Sequence, residues 1–418
     1  MKNIVKNYQE SVLKGFGWQG LLKLSYVLLA AIKIFFLSRL LDPTEFGIFS
    51  LVAIGLGVSE AITQTGINIT ILQTKNDAKH LIDTAWVIAI FRGFIIALIT
   101  IAISLIMSYL FNMKILIMLG FLAAIVPIIK GFINPSIALW QKNFLFRKEY
   151  FYQTLKQATE VFFTVLLAIW WQNVAVFILG MIISALGEVF FSFLLAKPRP
   201  KFTYDKTAAA IIWQNAKGLS ITATLSYLIE NVDDLILGKI LGTYQLGLYH
   251  NGYNVAHKIA YEPVKAADHS LLAAYTRLTH DHQRLKRGFL KALFLLSMGS
   301  LIIGTLVVYF KHPIITLGLG VKWLELESIL PWLVLAAIAQ GLTAFFYTFW
   351  VGLKNYKWIN IHLTASLLTV GFSIWFFANK SGLTGAVEAL AFTRLLMLLP
   401  LTIGSFLFIQ KTKNVHSQ

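Results

Sequence analysis

Arg39-Leu40-Leu41-Asp42-Pro43-Thr44-Glu45-Phe46-Gly47-Ile48-Phe49 recurs without a gap as Lys239-Ile240-Leu241-Gly242-Thr243-Tyr244-Gln245-Leu246-Gly247-Leu248-Tyr249. A base, two aliphatics, a four-residue turn, an apolar residue, Gly and an aromatic return in register. Each copy lies where one long apolar stretch ends and the next begins. A helix needs about 20 mostly apolar residues to cross a bilayer, and on that rule the chain holds about twelve spans. Six fall near 16–38, 46–71, 84–110, 114–134, 151–171 and 173–195. Six more fall near 213–240, 246–269, 289–310, 328–349, 359–378 and 384–409. The repeated segment joins the first and second spans of each half, which divides the chain into 1–206 and 207–418. Six is an even number, so the halves are expected to be parallel repeats about an axis along the membrane normal, an arrangement of transporters. The expected fold is an all-α polytopic membrane protein of two six-helix repeats around a central cavity.

Composition agrees with that reading. Of 418 residues, 57% are hydrophobic and 13% charged, and the mean hydropathy is +0.70. A soluble chain carries roughly a quarter charged residues, so this one lacks the polar surface to cover soluble cores. The formal charge of +17 would point to nucleic acid on a soluble protein. On a membrane chain it points first to basic cytoplasmic loops. The absence of Cys excludes disulfides and thiolate chemistry.

The basic residues orient the chain. Lys2, Lys6 and Lys14 precede the first span. Every second connection then holds a basic group: Lys75 and Lys79; Lys142, Arg147 and Lys148; Lys197, Arg199, Lys201 and Lys206; Arg277, Arg284, Lys286 and Arg287; Lys354 and Lys357; Lys411 and Lys413. The opposite connections hold scattered ones, a bias of about threefold that places both termini in the cytoplasm. The first apolar stretch is too long for a cleavable signal peptide.

Polar residues inside spans should face a bundle interior or a watery cavity, because lipid exposure is costly. Four spans carry polar residues at the three-and-four spacing of one helix face. In the first span these are Gln19, Lys23, Tyr26 and Lys33; in the second, Glu60, Gln64 and Asn68, with Thr63 beside them. In the seventh they are Lys217, Ser220, Thr224, Tyr227, Asn231 and Asp234; in the eighth, Asn251, Asn254, Lys258, Glu262, Lys265 and His269. The third, ninth and tenth spans read as nearly bare of charge, suited to lipid-facing or packing roles. The stripes are expected to line a cavity at the repeat interface.

Lys23, Lys33, Gln64, Asn231, Asn254, Lys258 and Lys265 are the expected substrate-binding residues. Glu60, Asp234 and Glu262 are the expected ion-coupling residues. Lys23 and Lys33 lie about 15 Å apart along their helix, so they would form two rungs able to replace the hydration of an anionic cargo. The alternatives are that these lysines snorkel to the interfaces and that Lys258 and Glu262 form an i,i+4 pair. Asp233 points about 100° away from Asp234 on a helix and falls outside the stripe. Pro263 beside Glu262 and Lys265 marks a candidate hinge. His280 and His282 read as a solvated loop rather than metal ligands.

Trp18 followed by Ser38 through Gly47 resembles the start of Wzx-type polysaccharide-biosynthesis flippases, members of the MOP superfamily together with the MATE exporters and the lipid II flippase. Asn231-Val232-Asp233-Asp234-Leu235-Ile236-Leu237-Gly238 through Tyr249 resembles the same family. Ala274-Tyr275-Thr276-Arg277 departs from the family's usual Pro-Ala-Leu-Ser. The resemblance implies two six-helix bundles alternating between inward- and outward-open states. It also implies an undecaprenyl-diphosphate-linked oligosaccharide as cargo, an O-antigen, capsule or exopolysaccharide unit of a bacterial inner membrane. Membrane lipids, a polysaccharide polymerase and a chain-length regulator would be partners, and nucleic acid would not.

No phosphate-cradling loop, zinc-binding helix, nucleophile elbow or dinucleotide fingerprint is present in the sequence. No cofactor, metal or catalytic residue is therefore expected. Two other classes stay open: an ion-coupled multidrug exporter, which would favour an acidic cavity, and a membrane-embedded glycan polymerase or transferase, which would favour a large extracytoplasmic loop.

Overall fold

The computed structural model describes residues 2–73, 79–278, 281–353 and 355–414. Lys75, Lys354 and His280 lie outside the described residues, and so do the side chains of Lys217, His269, Arg277 and His282. Among the described residues every regular element is helical. In chain order they are α1 (Lys2–Leu40), α2 (Pro43–Ile62), α3 (Ile67–Gln73), α4 (Lys79–Phe111), α5 (Ile115–Gly131), α6 (Ala138–Lys142), α7 (Phe146–Trp171) and α8 (Ala175–Leu195). Then follow α9 (Lys206–Leu241), α10 (Thr243–Ala256), α11 (Glu262–Lys265), α12 (Asp268–Leu278), α13 (His282–Tyr309), α14 (Lys311–Gly318), α15 (Leu326–Gly352) and α16 (Tyr356–Asn414).

Seven helices among the described residues are long and apolar enough to cross a membrane, and α5 with the bent segment Pro135–Lys142 adds an eighth candidate. The last candidate, Lys357–Ile409, has 53 residues. At 1.5 Å per residue that is about 80 Å, far beyond a hydrocarbon core of about 30 Å. The helix breaks at Gly382, whose φ of 65° and ψ of −154° are not helical. Divided there, each arm is long enough to span alone.

The repeated segment forms a helix–turn–helix joint both times. In the first copy α1 ends at Leu40, and Pro43 opens α2 in the first-turn position that needs no N–H. The Asp42 amide donates to the Glu45 carboxylate at 2.8 Å, half of a capping box. In the second copy α9 ends at Leu241 and Gly242 takes φ +83°, ψ 174° before α10 begins. That backbone region is essentially open to glycine alone, so Gly242 achieves by conformation what Asp42 achieves by capping. Phe46, Gly47 and Ile48 are buried, and so are their counterparts Leu246, Gly247 and Leu248.

Two expected spans are not the continuous helices the sequence pattern predicts. The second, near 46–71, stops at Ile62 and resumes at Ile67, with Gly66 at φ +64° in the break. The eighth, near 246–269, runs as α10, a π-helical turn over His257–Tyr261, then α11. Pro263 has no N–H and its ring crowds the carbonyl four residues back, at Ile259; the widened π turn absorbs that conflict.

The chain divides into two compact units, Met1–Asn231 and Val232–Gln418, with the division falling inside α9. In the first unit α1 packs on α7, α7 on α8, and α4 on α5. The α4–α5 approach is close: a Cβ on Gly93 would stand 2.5 Å from the Pro127 carbonyl oxygen. In the second unit α15 is the central element, contacting α10, α12, α13 and α16. Its core is aromatic, with Phe289, Phe345, Phe346, Phe349 and Trp350 buried together with Tyr275.

Candidate functional site

The polar stripe of α1 is directed at α7 rather than at open space. Gln19 Nε2 donates to Glu149 Oε2 at 3.1 Å, the Tyr26 hydroxyl to Gln153 Oε1 at 3.0 Å, and Lys33 Nζ to Glu160 Oε1 at 2.5 Å. Residue numbers rise together along both helices, so α1 and α7 run parallel. Lys33 and Glu160 are 17% and 22% exposed, so the ion pair is largely withdrawn from solvent. Further rungs tie α7 to α8. Lys156 Nζ lies 3.4 Å from Glu188 Oε1, and the Tyr152 hydroxyl donates to the Glu188 carbonyl at 3.2 Å. Of the stripe, Lys23 is exposed.

Glu149, Lys156, Glu160 and Glu188 were not among the expected site residues. The sequence carried the signal for three of them, because Glu149, Gln153, Lys156 and Glu160 follow steps of 4, 3 and 4. Placing the start of the fifth span at 151 leaves Glu149 in a loop and hides that stripe. Glu188 stands alone in α8 and has no periodic signal.

The third expected span is not bare of charge. Arg92, in the middle of α4, donates from Nε to the Thr63 carbonyl at 2.6 Å and from Nη2 to the Glu60 carbonyl at 3.1 Å. These carbonyls end α2, where helical partners run out, so Arg92 closes the break before Gly66. Lys130 Nζ lies 3.7 Å from Glu60 Oε1. Glu60 thus stands between two cations, neither of which the sequence pattern singles out. Gln64 lies in the break, where its carbonyl accepts the Ser220 hydroxyl at 2.7 Å. Because α2 ends before it, Gln64 and the exposed Asn68 do not continue the helical face of Glu60.

On α9, the Tyr227 hydroxyl donates to the Ala53 carbonyl at 3.3 Å. Asn231 Nδ2 donates back to the Tyr227 carbonyl at 2.8 Å. Within the second unit, the aspartates of α9 diverge as adjacent helical residues do. Asp234 faces His250, with both carboxylate oxygens 3.3 Å from Nδ1. Asp233 accepts the Tyr249 hydroxyl at 2.6 Å and lies 3.9 Å from Arg394 Nη2. Arg394 Nη1 donates to Gln340 Oε1 at 2.8 Å, which also accepts the Tyr253 hydroxyl at 2.9 Å. The network therefore joins α9, α10, α15 and α16, and both aspartates are buried. Asp233, outside the expected stripe, is as deeply engaged as Asp234.

Along α10 and the π turn, Tyr249, Tyr253, His257 and Tyr261 stack with ring centroids 5.7, 5.2 and 3.9 Å apart. Asn251 is 2% exposed, and its Nδ2 has no hydrogen-bond partner among the described residues. Asn254, Lys258 and Glu262 are half-buried, while Lys265 is exposed with its ammonium 5.2 Å from the Tyr261 ring. The π turn adds a residue, which rotates Glu262 and Lys265 by about 100° from the face that Asn251 and Asn254 share. The eighth-span stripe is thus two faces rather than one. No group of three His, Asp or Glu able to hold a metal exists among the described residues.

Solved structures share this all-helical membrane fold. The fold matches an inward-facing multidrug-resistance MATE family transporter of the MOP superfamily, with a TM-score of 0.64 at 13% identity over 93% of this chain and 95% of that one. It matches the lipid II flippase MurJ in an inward closed conformation equally, with a TM-score of 0.64 at 15% identity over 93% and 87%. The chain thus has the MOP-superfamily fold. The sequence signature of the family described as "Polysaccharide biosynthesis protein" covers residues 36–328, and the chain belongs to that family. It is 26% identical over 339 residues to an uncharacterized membrane protein in the cps region of Klebsiella pneumoniae, covering 79% of this chain and 68% of that one. Over 340 residues it is 24% identical to the lipopolysaccharide biosynthesis protein WzxC of Escherichia coli K12, covering 79% and 67%.

Proposed function

We propose that this protein is a flippase that moves an undecaprenyl-diphosphate-linked oligosaccharide from the cytoplasmic to the outer leaflet by alternating access. The observation that carries the reading is membership of a polysaccharide-biosynthesis family by a chain whose apolar helices bury rungs of charge. Such rungs are costly in a membrane and mark pathways or couplings. In this reading Lys23, Lys258 and Lys265, with Gln64, Asn231 and Asn254, contact the diphosphate and the glycan. Lys33, whose ammonium is taken by Glu160, holds α1 to α7 instead. Asp234 with His250, and Glu60 and Glu262, couple transport to an ion gradient rather than to ATP. Asp233 is already balanced by Arg394, so Asp234 is the member of the pair left to exchange a proton through His250. The host membrane is a bacterial plasma membrane with both chain ends cytoplasmic, and a polysaccharide polymerase and chain-length regulator act downstream.

The MATE-like fold is equally compatible with an exporter of cations, and the family assignment is what favours a glycan cargo. Complementation of a flippase-null strain tests the reading. Wild type restores surface polysaccharide, and Lys23→Ala and Lys258→Ala reduce it at least about tenfold, as loss of a charged contact of roughly 1.4 kcal/mol or more predicts. Full display in both variants removes these lysines from the mechanism. Efflux of cationic drugs without complementation favours the exporter, and a change in glycan chain length by purified protein favours a membrane enzyme.

A further inference from the structure

The break after α2 opens onto a cavity of about 350 Å³, formed wholly by the first unit and lined by Ile62, Thr63, Gln64, Phe91, Arg92 and Trp213 among others. Arg92 carries five N–H donors. Two are engaged by the Thr63 and Glu60 carbonyls, and no acceptor among the described residues takes the other three. Arg92 lies in the half of the apolar span Leu81–Phe111 nearer Leu81, about 16 Å along the helix from that residue. Its local charge is not neutralised. Lys130 Nζ faces the Glu60 carboxylate at 3.7 Å, whereas Arg92 meets the main-chain carbonyl of Glu60 rather than its carboxylate. The carboxylate on α4 itself, Asp83, is engaged by the Lys201 amide at 2.8 Å and the Thr203 hydroxyl at 3.3 Å. One net positive charge is therefore left inside a membrane helix, where an uncompensated charge is expensive.

The rim of the cavity is apolar and open. Ile62, Phe91, Ile95 and Trp213 are 44%, 59%, 49% and 54% exposed. Tyr204 closes one side, fixed by the Asp83 contacts before it and by the Asp205 amide donating to Thr84 Oγ1 at 3.0 Å after it. A guanidinium at the bottom and exposed hydrocarbon at the mouth match an amphiphile with one anionic group.

We propose that this cavity binds an anionic phospholipid of the surrounding bilayer, its phosphodiester on the free N–H groups of Arg92 and its acyl chains along Phe91 and Ile95. The charge selects the ligand: one net positive charge complements the single negative charge of a phosphodiester, whereas a polyprenyl diphosphate carries more. Size agrees, since small-molecule sites span roughly 300–1,000 Å³ and this one, at the low end, admits a headgroup but not a glycan. The cavity shares Gln64 with the proposed cargo path, and lipid retention at Arg92 is read without reference to transport.

Native mass spectrometry of the full-length protein, released from detergent with added phosphatidylglycerol, diacylglycerol or inorganic phosphate, tests the proposal. Wild type is expected to retain phosphatidylglycerol at least tenfold more than either of the others, and Arg92→Gln to lose that preference. Because Arg92 also closes the end of α2, Glu60→Gln supplies an independent arm with the opposite sign. It raises the local charge and is expected to retain phosphatidylglycerol several-fold more tightly, while Lys130→Gln weakens retention. Equal retention of phosphatidylglycerol by wild type, Glu60→Gln and Lys130→Gln would overturn the site. Retention of inorganic phosphate to the same degree would make it a free-anion site, and preferential retention of a polyprenyl diphosphate would make it part of the cargo path; either contradicts the proposal.

Discussion

Lys33 in the first unit and Asp233 in the second are both charged groups inside apolar helices, and their surroundings differ in kind. Lys33 pairs with one carboxylate, that of Glu160, with the Phe177 ring 6.0 Å away, in a ladder where each rung is a separate contact. Asp233 belongs to a closed network with Tyr249 and Arg394, which in turn engages Gln340 and Tyr253 from two other helices. A ladder of independent rungs loses one rung at a time. A shared network fails together, because removing one member leaves several buried groups without partners.

The largest expected effect is therefore in the second unit. Arg394→Leu leaves the Asp233 carboxylate buried and unbalanced, and should lower unfolding stability in detergent by about 3–5 kcal/mol. Arg394→Leu combined with Asp233→Asn should recover most of that loss. If the double variant is no more stable than the single, the network is not held by charge.

In the first unit, Lys33→Ala strands Glu160 alone, and partial exposure reduces the loss to about 2 kcal/mol. Lys33→Met with Glu160→Gln should return to near wild type, and a thermal melt in which the two single losses simply add would show that the rung is no pair. Smaller again is the contrast between the joints. Gly242→Asp copies the first joint's residue into a backbone region closed to side chains, and should cost about 1–2 kcal/mol. An unchanged melting temperature would mean that the second joint relaxes to the geometry of the first.

Seven candidate spans among the described residues, against the twelve expected, and the two joints are legible in the sequence because they rest on local rules: length of apolar run, Pro43 at a helix start, glycine at a turn. The helix breaks are less so. Gly66 and Pro263 are visible as residues, but whether a span bends, stops or widens into a π turn depends on what satisfies the freed carbonyls. Arg92 does that from another helix, and a solitary arginine has no periodicity to announce it. The same holds for Glu188 and Arg394. Stripes identify which face of a helix is polar but not what that face meets. Gln19, Tyr26 and Lys33 share a face as expected, yet they are directed at α7, whose own stripe is offset into a segment that reads as loop.

The central claim, transport of a lipid-linked glycan, is most directly tested with purified protein in proteoliposomes carrying a fluorescent polyprenyl-diphosphate oligosaccharide in one leaflet. The account predicts that an imposed ion gradient speeds its appearance in the other leaflet at least tenfold over protein-free vesicles, with no ATP present, and that His250→Gln removes the gradient dependence. Translocation no faster than in protein-free vesicles, with or without the gradient, would contradict it.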